Sequence, residues 1–188
     1  MLRPHNPAET IVRTLSDHLS SYAAYHQDGR NIATHFFGIP AIVVAVAVLL
    51  SRPVLGMLPG GVTVTPALLL LAAVTVFYLR LDVVFGLVMF VLIGLAVWVG
   101  NHVAAHSAAA WLSVGLGLFV IGWIVQFVGH YYEGRKPAFV DDLAGLVIGP
   151  LFLVAETAFA MGLRGALRDE VTRRARAMRA APGKHAAA

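Results

Sequence analysis

The chain reads as apolar blocks of membrane-helix length separated by short polar breaks. Residues 33–51 hold His35 as their one ionisable side chain, 62–79 and 83–100 carry no charge, and 108–129 carries none, with Gln126 its most polar member. A helix rises about 1.5 Å per residue and a bilayer core is about 30 Å thick, so a window of about 20 apolar residues is a candidate crossing. Arg52-Pro53 ends the first block, Pro59-Gly60-Gly61 leads into the second, Arg80 and Asp82 mark a tight turn, and Asn101 to His106 joins the third to the fourth. A fifth run, 143–163, contains Gly149-Pro150 and, in its second half, Glu156. A proline preceded by glycine breaks or kinks a helix at mid-membrane depth. The pattern therefore predicts an all-α integral membrane fold: four transmembrane helices plus a broken or re-entrant fifth hydrophobic segment. Residues 1–163 form the membrane-embedded part, and 164–188 a basic amphipathic cytoplasmic tail.

Composition supports the membrane reading. Of 188 residues, 59% are hydrophobic and 13% charged, more apolar surface than a soluble domain hides. The formal charge of +4 does not imply nucleic acid, because the basic residues stand at the ends of apolar runs and not in an aromatic-laced patch. Absence of cysteine excludes disulfides, thiolate-ligated haem and iron–sulfur clusters, and leaves His, Asp and Glu to hold any metal. Residues 1–30 are polar without an apolar core, so the first spanning helix is expected to direct insertion.

Charge also decides how the fifth run is drawn. With four crossings, Arg3, Arg13, Arg30, Arg80, Arg135 and Lys136 share one face, against Arg52 on the other. Seven further basic residues follow residue 163: Arg164, Arg168, Arg173, Arg174, Arg176, Arg179 and Lys184. If 143–163 leaves on the side it entered, thirteen of the fourteen basic residues share a face; if it crosses, the split is six against eight. The positive-inside rule favours the first arrangement and makes that face, with both termini, cytoplasmic. A helix from about 164 to 180 would then lay its arginine-rich side on the anionic leaflet. The Ala- and Gly-rich composition points to a bacterial inner membrane.

This topology gathers residues far apart in sequence. His26 and His35 stand at the entry to the first helix and His130 at the exit of the fourth, on one face at similar depth, with Asn31, Glu133, Asp141 and Asp142 nearby and Glu156 reachable if the fifth run folds back. His130 and Glu133 are three residues apart on one helical face. Three neutral imidazoles with carboxylate or water suit non-haem Fe(II), or less distinctively zinc. Singly, each histidine is also an ordinary headgroup-level anchor, and Arg135-Lys136 an ordinary cytoplasmic one. His102 and His106 have the spacing of a metal-binding pair but fall on the far face, while His5, His18 and His185 lie in polar termini. Gly38, Gly94, Gly115, Gly117 and Gly122 are read as close-packing positions.

Two stretches carry a resemblance. Tyr25-His26, Asn31 and His35 in YHQDGRNIATHFFGIP, and the stretch from Gly122, GWIVQFVGHYYEGRKPAFVDDLAGLVIGPLFLVAE, resemble the two signatures of the membrane 2-hydroxy fatty acid dioxygenases; 52–110 matches in hydropathy alone. The resemblance implies an Fe(II)-dependent dioxygenase of fatty-acid α-oxidation, which shortens a long-chain 2-hydroxy fatty acid by one carbon using O2 and without 2-oxoglutarate. The family's metal ligands map to His26, His35 and His130, the three that topology selects. The substrate's carboxylate and 2-hydroxyl would chelate the iron while the acyl tail lies among helices and membrane lipids. Glu133, Glu156 and Arg135 are the candidate catalytic residues, with Arg135 or Lys136 placed to meet the substrate carboxylate. The rival class is a non-enzymatic multi-pass scaffold or small transporter with interface histidines. A histidine-box hydroxylase would need several His clusters where only His102/His106 fits, and a dihaem bundle would place paired histidines inside facing helices.

Overall fold

The fold is that of a computed structural model, which describes residues 13–140 and 142–180. Arg3, His5, Asp141, Lys184 and His185 lie outside the described residues. The first helix, α1 (Leu15–Ala24), starts at a capping box: Asp17 N donates to Thr14 Oγ1 at 3.3 Å, and Thr14 N to the Asp17 carboxylate at 2.8 Å. Such reciprocal caps satisfy donors that a helix start leaves open. The hydropathy pattern shows no helix in this stretch, because α1 is short and buries a single face through Leu15, Leu19 and Tyr22.

Among the described residues, three helices are long and apolar enough to cross a membrane: α2 (Gly29–Ser51), α4 (Val83–Ala104) and α5 (Ala108–Glu133). Asp28, Asp82 and Ser107 cap them, and Gly134, with φ of +66°, closes α5 in the left-handed conformation. The expected second span, 62–79, is shorter than drawn. Thr63–Val64 pairs with Gly56–Met57 as a small hairpin (β2 with β1), turned through Gly60 and Gly61 at positive φ. Thr65 then caps α3 (Pro66–Leu81), with proline at the first helical position where its missing N–H costs nothing. That leaves α3 with 16 residues.

The expected break at Gly149-Pro150 is absent, since α6 (Ala144–Ala160) runs through Pro150. Proline removes one intrahelical donor, and beside it the Tyr78 hydroxyl donates to the Val147 carbonyl at 2.6 Å. α6 follows a 3-10 turn (Ala138–Val140) after the end of α5. Just past its own end, Arg164 pairs with Asp82, in the α3–α4 turn, at 2.9 Å. Both ends of α6 thus lie at the end of the bundle where α2 begins, the same-side arrangement reached by an unbroken helix. Ser51, Arg52, Asn101 and Ala105 mark the opposite end.

α2 and α5 pack most intimately, through glycine. A Cβ at Gly38 would stand 3.0 Å from the Gly122 carbonyl and 3.1 Å from Gln126, and one at Gly129 2.1 Å from Thr34 Oγ1. Gly115 likewise packs against Leu49, whereas Gly94 and Gly117 have nothing within 4 Å and are not packing positions. Outward, α4 exposes Val83, Leu87, Val91, Leu95 and Trp98, and just 11% of the most apolar stretch of α5 is buried. Apolar faces of that extent belong against hydrocarbon or a partner and not water.

The expected basic tail helix exists as α7 (Gly165–Ala180), but it packs on α1, burying Val171 and Ala175. Two of its arginines meet carboxylates of the bundle: Arg174 pairs with Asp17 at 2.7 Å, and Arg179 with Glu133.

Candidate metal centre

The three histidines come from three places that the fold closes together. His26 sits in the α1–α2 turn, where its N–H donates to Ala23 O at 3.1 Å. His35 lies in the second turn of α2 and His130 in the last turn of α5, brought within reach by the glycine contacts between those helices. All are buried, at 3%, 2% and 7% exposure. One ligand nitrogen from each lies within 4.8 Å of the other two, and the ring centroids are 4.5, 5.0 and 5.1 Å apart.

Hydrogen bonding assigns two of the tautomers. His26 Nδ1 is 2.7 Å from Tyr22 O, and His35 Nδ1 2.8 Å from Asn31 O. A carbonyl only accepts, so each Nδ1 carries the proton and each Nε2 presents a lone pair. Those two Nε2 atoms face each other at 3.0 Å, and two lone pairs at that distance repel. A proton between them is disfavoured at neutral pH, because burial pushes His26 well below the ordinary histidine range. A cation held between them would resolve the conflict, because it accepts both lone pairs. His130 Nδ1 is also buried without a hydrogen-bond partner among the described residues. A buried unpaired donor or acceptor is costly. Three neutral imidazoles converging with unsatisfied nitrogens fit a divalent transition metal, Fe(II) or Zn(II).

Outer contacts hold the rings. Tyr22 stacks on His26 at 4.1 Å and 9°, and Phe152 of α6 packs on Tyr22 at 4.9 Å. Glu133, fully buried, fastens the His26 turn: Gln27 N, Asp28 N and Asn31 Nδ2 all donate to its Oε2 at 2.8–3.1 Å, and Arg179 donates to Oε1. Its carboxylate therefore faces backbone and arginine, leaving the imidazoles to converge by themselves. Arg135 lines a separate hollow with His18 and Asp142, and Glu156 lies half-buried farther along α6, outside the lining of the cavity against the histidines. His102 and His106, exposed at the far end of α4, are 5.4 Å apart with no carboxylate in their group.

That cavity, about 70 Å³, is walled by His35 and His130 together with Tyr22, Ile39, Trp123 and Gln126. Gln126 is 5% exposed, and its Oε1 has no partner among the described residues. Sequence reasoning marked Gln126 as the most polar residue of its span without giving it a role; its position one turn before His130 is the signal that places both on one face. Tyr22 carried no such signal, because a tyrosine in a short polar-looking stretch is ordinary.

The family model described as 2-hydroxy-palmitic acid dioxygenase Mpo1-like matches residues 12–161. The 2-hydroxy-palmitic acid dioxygenase MPO1 of Saccharomyces cerevisiae is 32% identical over 159 residues, covering 82% of this chain and 85% of its own. No solved structure matches the chain. The match spans α1 to α6 and leaves α7 outside it. The chain belongs to the Mpo1-like family of 2-hydroxy-palmitic acid dioxygenases.

Proposed function

We propose that the protein is an Fe(II)-dependent dioxygenase that shortens long-chain 2-hydroxy fatty acids by one carbon at the membrane interface. The observation that carries this reading is the convergence of three buried imidazoles, two with Nε2 lone pairs 3.0 Å apart, in a chain of this family. His26, His35 and His130 would hold the iron. Bound there, Fe(II) would supply the redox chemistry by which one O2 converts a 2-hydroxy acid to the next shorter acid, carbon dioxide and water. The substrate provides all four electrons, so no 2-oxoglutarate is required.

The chain's own residues bind, orient and exclude water. The Gln126 amide, buried and unpartnered at Oε1, supplies a fixed acceptor for the substrate's 2-hydroxyl. Arg135, expected to meet the substrate carboxylate, lines another hollow. Trp123, Ile39 and Pro150 exclude water from the same cavity. Carbonyl bonds from Tyr22 and Asn31 keep protons off the two Nε2 atoms, and Glu133 holds the turn that carries His26. On this reading the assembly sits among the lipids of a bacterial inner membrane, with the histidine end and both termini cytoplasmic; the length and apolar faces of α2, α4 and α5 support the membrane part of it. Glu156, expected among the catalytic residues, lies outside the lining of this cavity.

The test is turnover. Protein purified anaerobically and given Fe(II), O2 and a long-chain 2-hydroxy acid should yield the acid one carbon shorter without 2-oxoglutarate, and Gln126→Leu should keep its iron while losing most of that activity. Equal turnover of the unhydroxylated acid, or an absolute requirement for 2-oxoglutarate, contradicts the proposal.

A further inference from the structure

The cavity between His35 and His130 holds about 70 Å³, whereas sites for drug-sized ligands run to about 300–1,000 Å³. It takes a polar head and no long tail. Two apolar hollows adjoin it. One, about 350 Å³, lies between α2, α3, α5 and α6, with Ile93 and Val97 of α4 closing one side, and shares Ile42, Val43, Trp123, Leu146 and Pro150 with the head cavity. The other, about 510 Å³, lies between α2, α4 and α6, shares Ile39, Val43 and Pro150, and has no residue from α5.

We infer that the hollow lined by both α2 and α5 is the acyl-tail site for a long-chain 2-hydroxy acid whose head sits between His35 and His130. This rests on the function proposed above and adds the tail's path. A ligand held between a histidine of α2 and a histidine of α5 leaves along the seam those helices share, and only the first hollow is lined by both. Trp123, one turn from Gln126, stands at the junction. The hollow continues inward in the direction a tail must take. Ala47 is twelve residues past His35 and Phe119 eleven before His130, so its lining reaches about 17–18 Å from the histidines at about 1.5 Å per residue. The walls are aliphatic and aromatic, and their one hydroxyl, that of Tyr78, is already donated to Val147 O at 2.6 Å. Hydrocarbon entering there leaves that hydroxyl paired, with the Trp123 indole the other polar group of the lining.

Photolabelling tests the path without relying on turnover. A long-chain 2-hydroxy acid carrying a diazirine at the tail end is bound to the full chain in phosphatidylcholine nanodiscs, and the labelled residues are read by mass spectrometry. The expected label falls on Leu70, Leu71 and Val74 and is displaced by excess unlabelled 2-hydroxy acid. Label on Val88 and Leu92 of the other hollow overturns the assignment, as does label that excess acid does not displace, since bilayer lipid would then fill the groove. Leu70→Trp and Val88→Trp give a second reading, because Leu70 and Val88 are 41% and 40% exposed and tolerate bulk without disturbing the core. Leu70→Trp should lower kcat/KM for the long-chain acid by roughly tenfold, the scale on which hydrophobic pockets discriminate by size. It should leave a short-chain 2-hydroxy acid unaffected, with Val88→Trp altering neither; the reverse pattern overturns the site. Displaceable label at Leu70 to Val74 with no wild-type turnover would remove the reaction and keep the tail site. Turnover with label elsewhere would remove the tail site alone.

Discussion

His26 and His35 each hold an Nδ1 proton against a carbonyl oxygen, so their Nε2 atoms meet as two lone pairs 3.0 Å apart, an arrangement that needs both rings neutral and that a cation would relieve. This has a pH signature. Burial pushes His26 well below its ordinary value, so the folded chain keeps it neutral while the unfolded chain takes up a proton near pH 6.5. Below that pH the unfolded state binds more protons, so stability is full above about pH 6.5 and falls as the pH drops through the region beneath it. Chelator-treated protein should therefore melt at progressively lower temperature between about pH 7 and pH 5, and His26→Gln should reduce that slope; an unchanged slope would mean His26 is not held neutral by its burial. At this scale the histidines were legible in the sequence, because helix ends on one side of a membrane fix which side chains can meet. The partners of Glu133 were not. Its i, i+3 spacing from His130 suggested that the two side chains approach a common point, yet its carboxylate turns to Gln27, Asp28, Asn31 and Arg179, and local spacing carries no information about a turn more than 100 residues away.

Between elements, the α2–α5 seam and the α7 brace set the geometry. A methyl at Gly129 would fall 2.1 Å from Thr34 Oγ1 and 2.5 Å from Asn31 Oδ1, and overpacking of a close contact typically costs about 1–3 kcal/mol. Gly129→Ala should leave a helical protein by circular dichroism that binds iron at least tenfold more weakly, because the helices carrying His35 and His130 are forced apart; wild-type affinity would show that the seam does not set the site. Arg179 reaches Glu133 from a helix outside the family match. Arg179→Ala leaves a buried carboxylate with backbone and amide donors but no cation. A lost charged hydrogen bond of this kind is worth about 1.5–3 kcal/mol, less here because Arg179 is 30% exposed. A drop in melting temperature is expected, together with faster amide exchange at Gln27 and Asp28; protection equal to wild type would mean the turn stands without α7. The sequence pattern located α7 correctly, from its arginines alternating with small apolar residues. Its docking on α1 was hidden because α1 was itself hidden: ten residues with a capping box and one buried face make no hydropathy peak.

For the molecule as a whole, length and hydropathy found α2, α4 and α5 and overdrew α3, whose start is fixed by Thr65 and Pro66. They also placed both ends of 143–163 on one side, for a reason of charge that the Arg164–Asp82 pair matches in structure. The break expected at Pro150 did not occur: α6 runs through it although the Leu146 carbonyl loses its usual donor, and the Tyr78 hydroxyl ties the next carbonyl, that of Val147, to α3. With thirteen of fourteen basic residues drawn to one face, the C-terminus should report as cytoplasmic, and a periplasmic signal from a reporter fused after residue 188 would reverse the orientation. The claim on which everything else rests is that His26, His35 and His130 hold one metal ion, and metal analysis of protein purified without added metal tests it most directly. Wild type and His102→Ala should each carry close to one iron per chain, and His26→Ala, His35→Ala and His130→Ala should each lose most of it, because two imidazoles cannot compete with a chelating buffer. A wild-type protein free of metal, or a His130→Ala variant that keeps its full complement, would contradict the account.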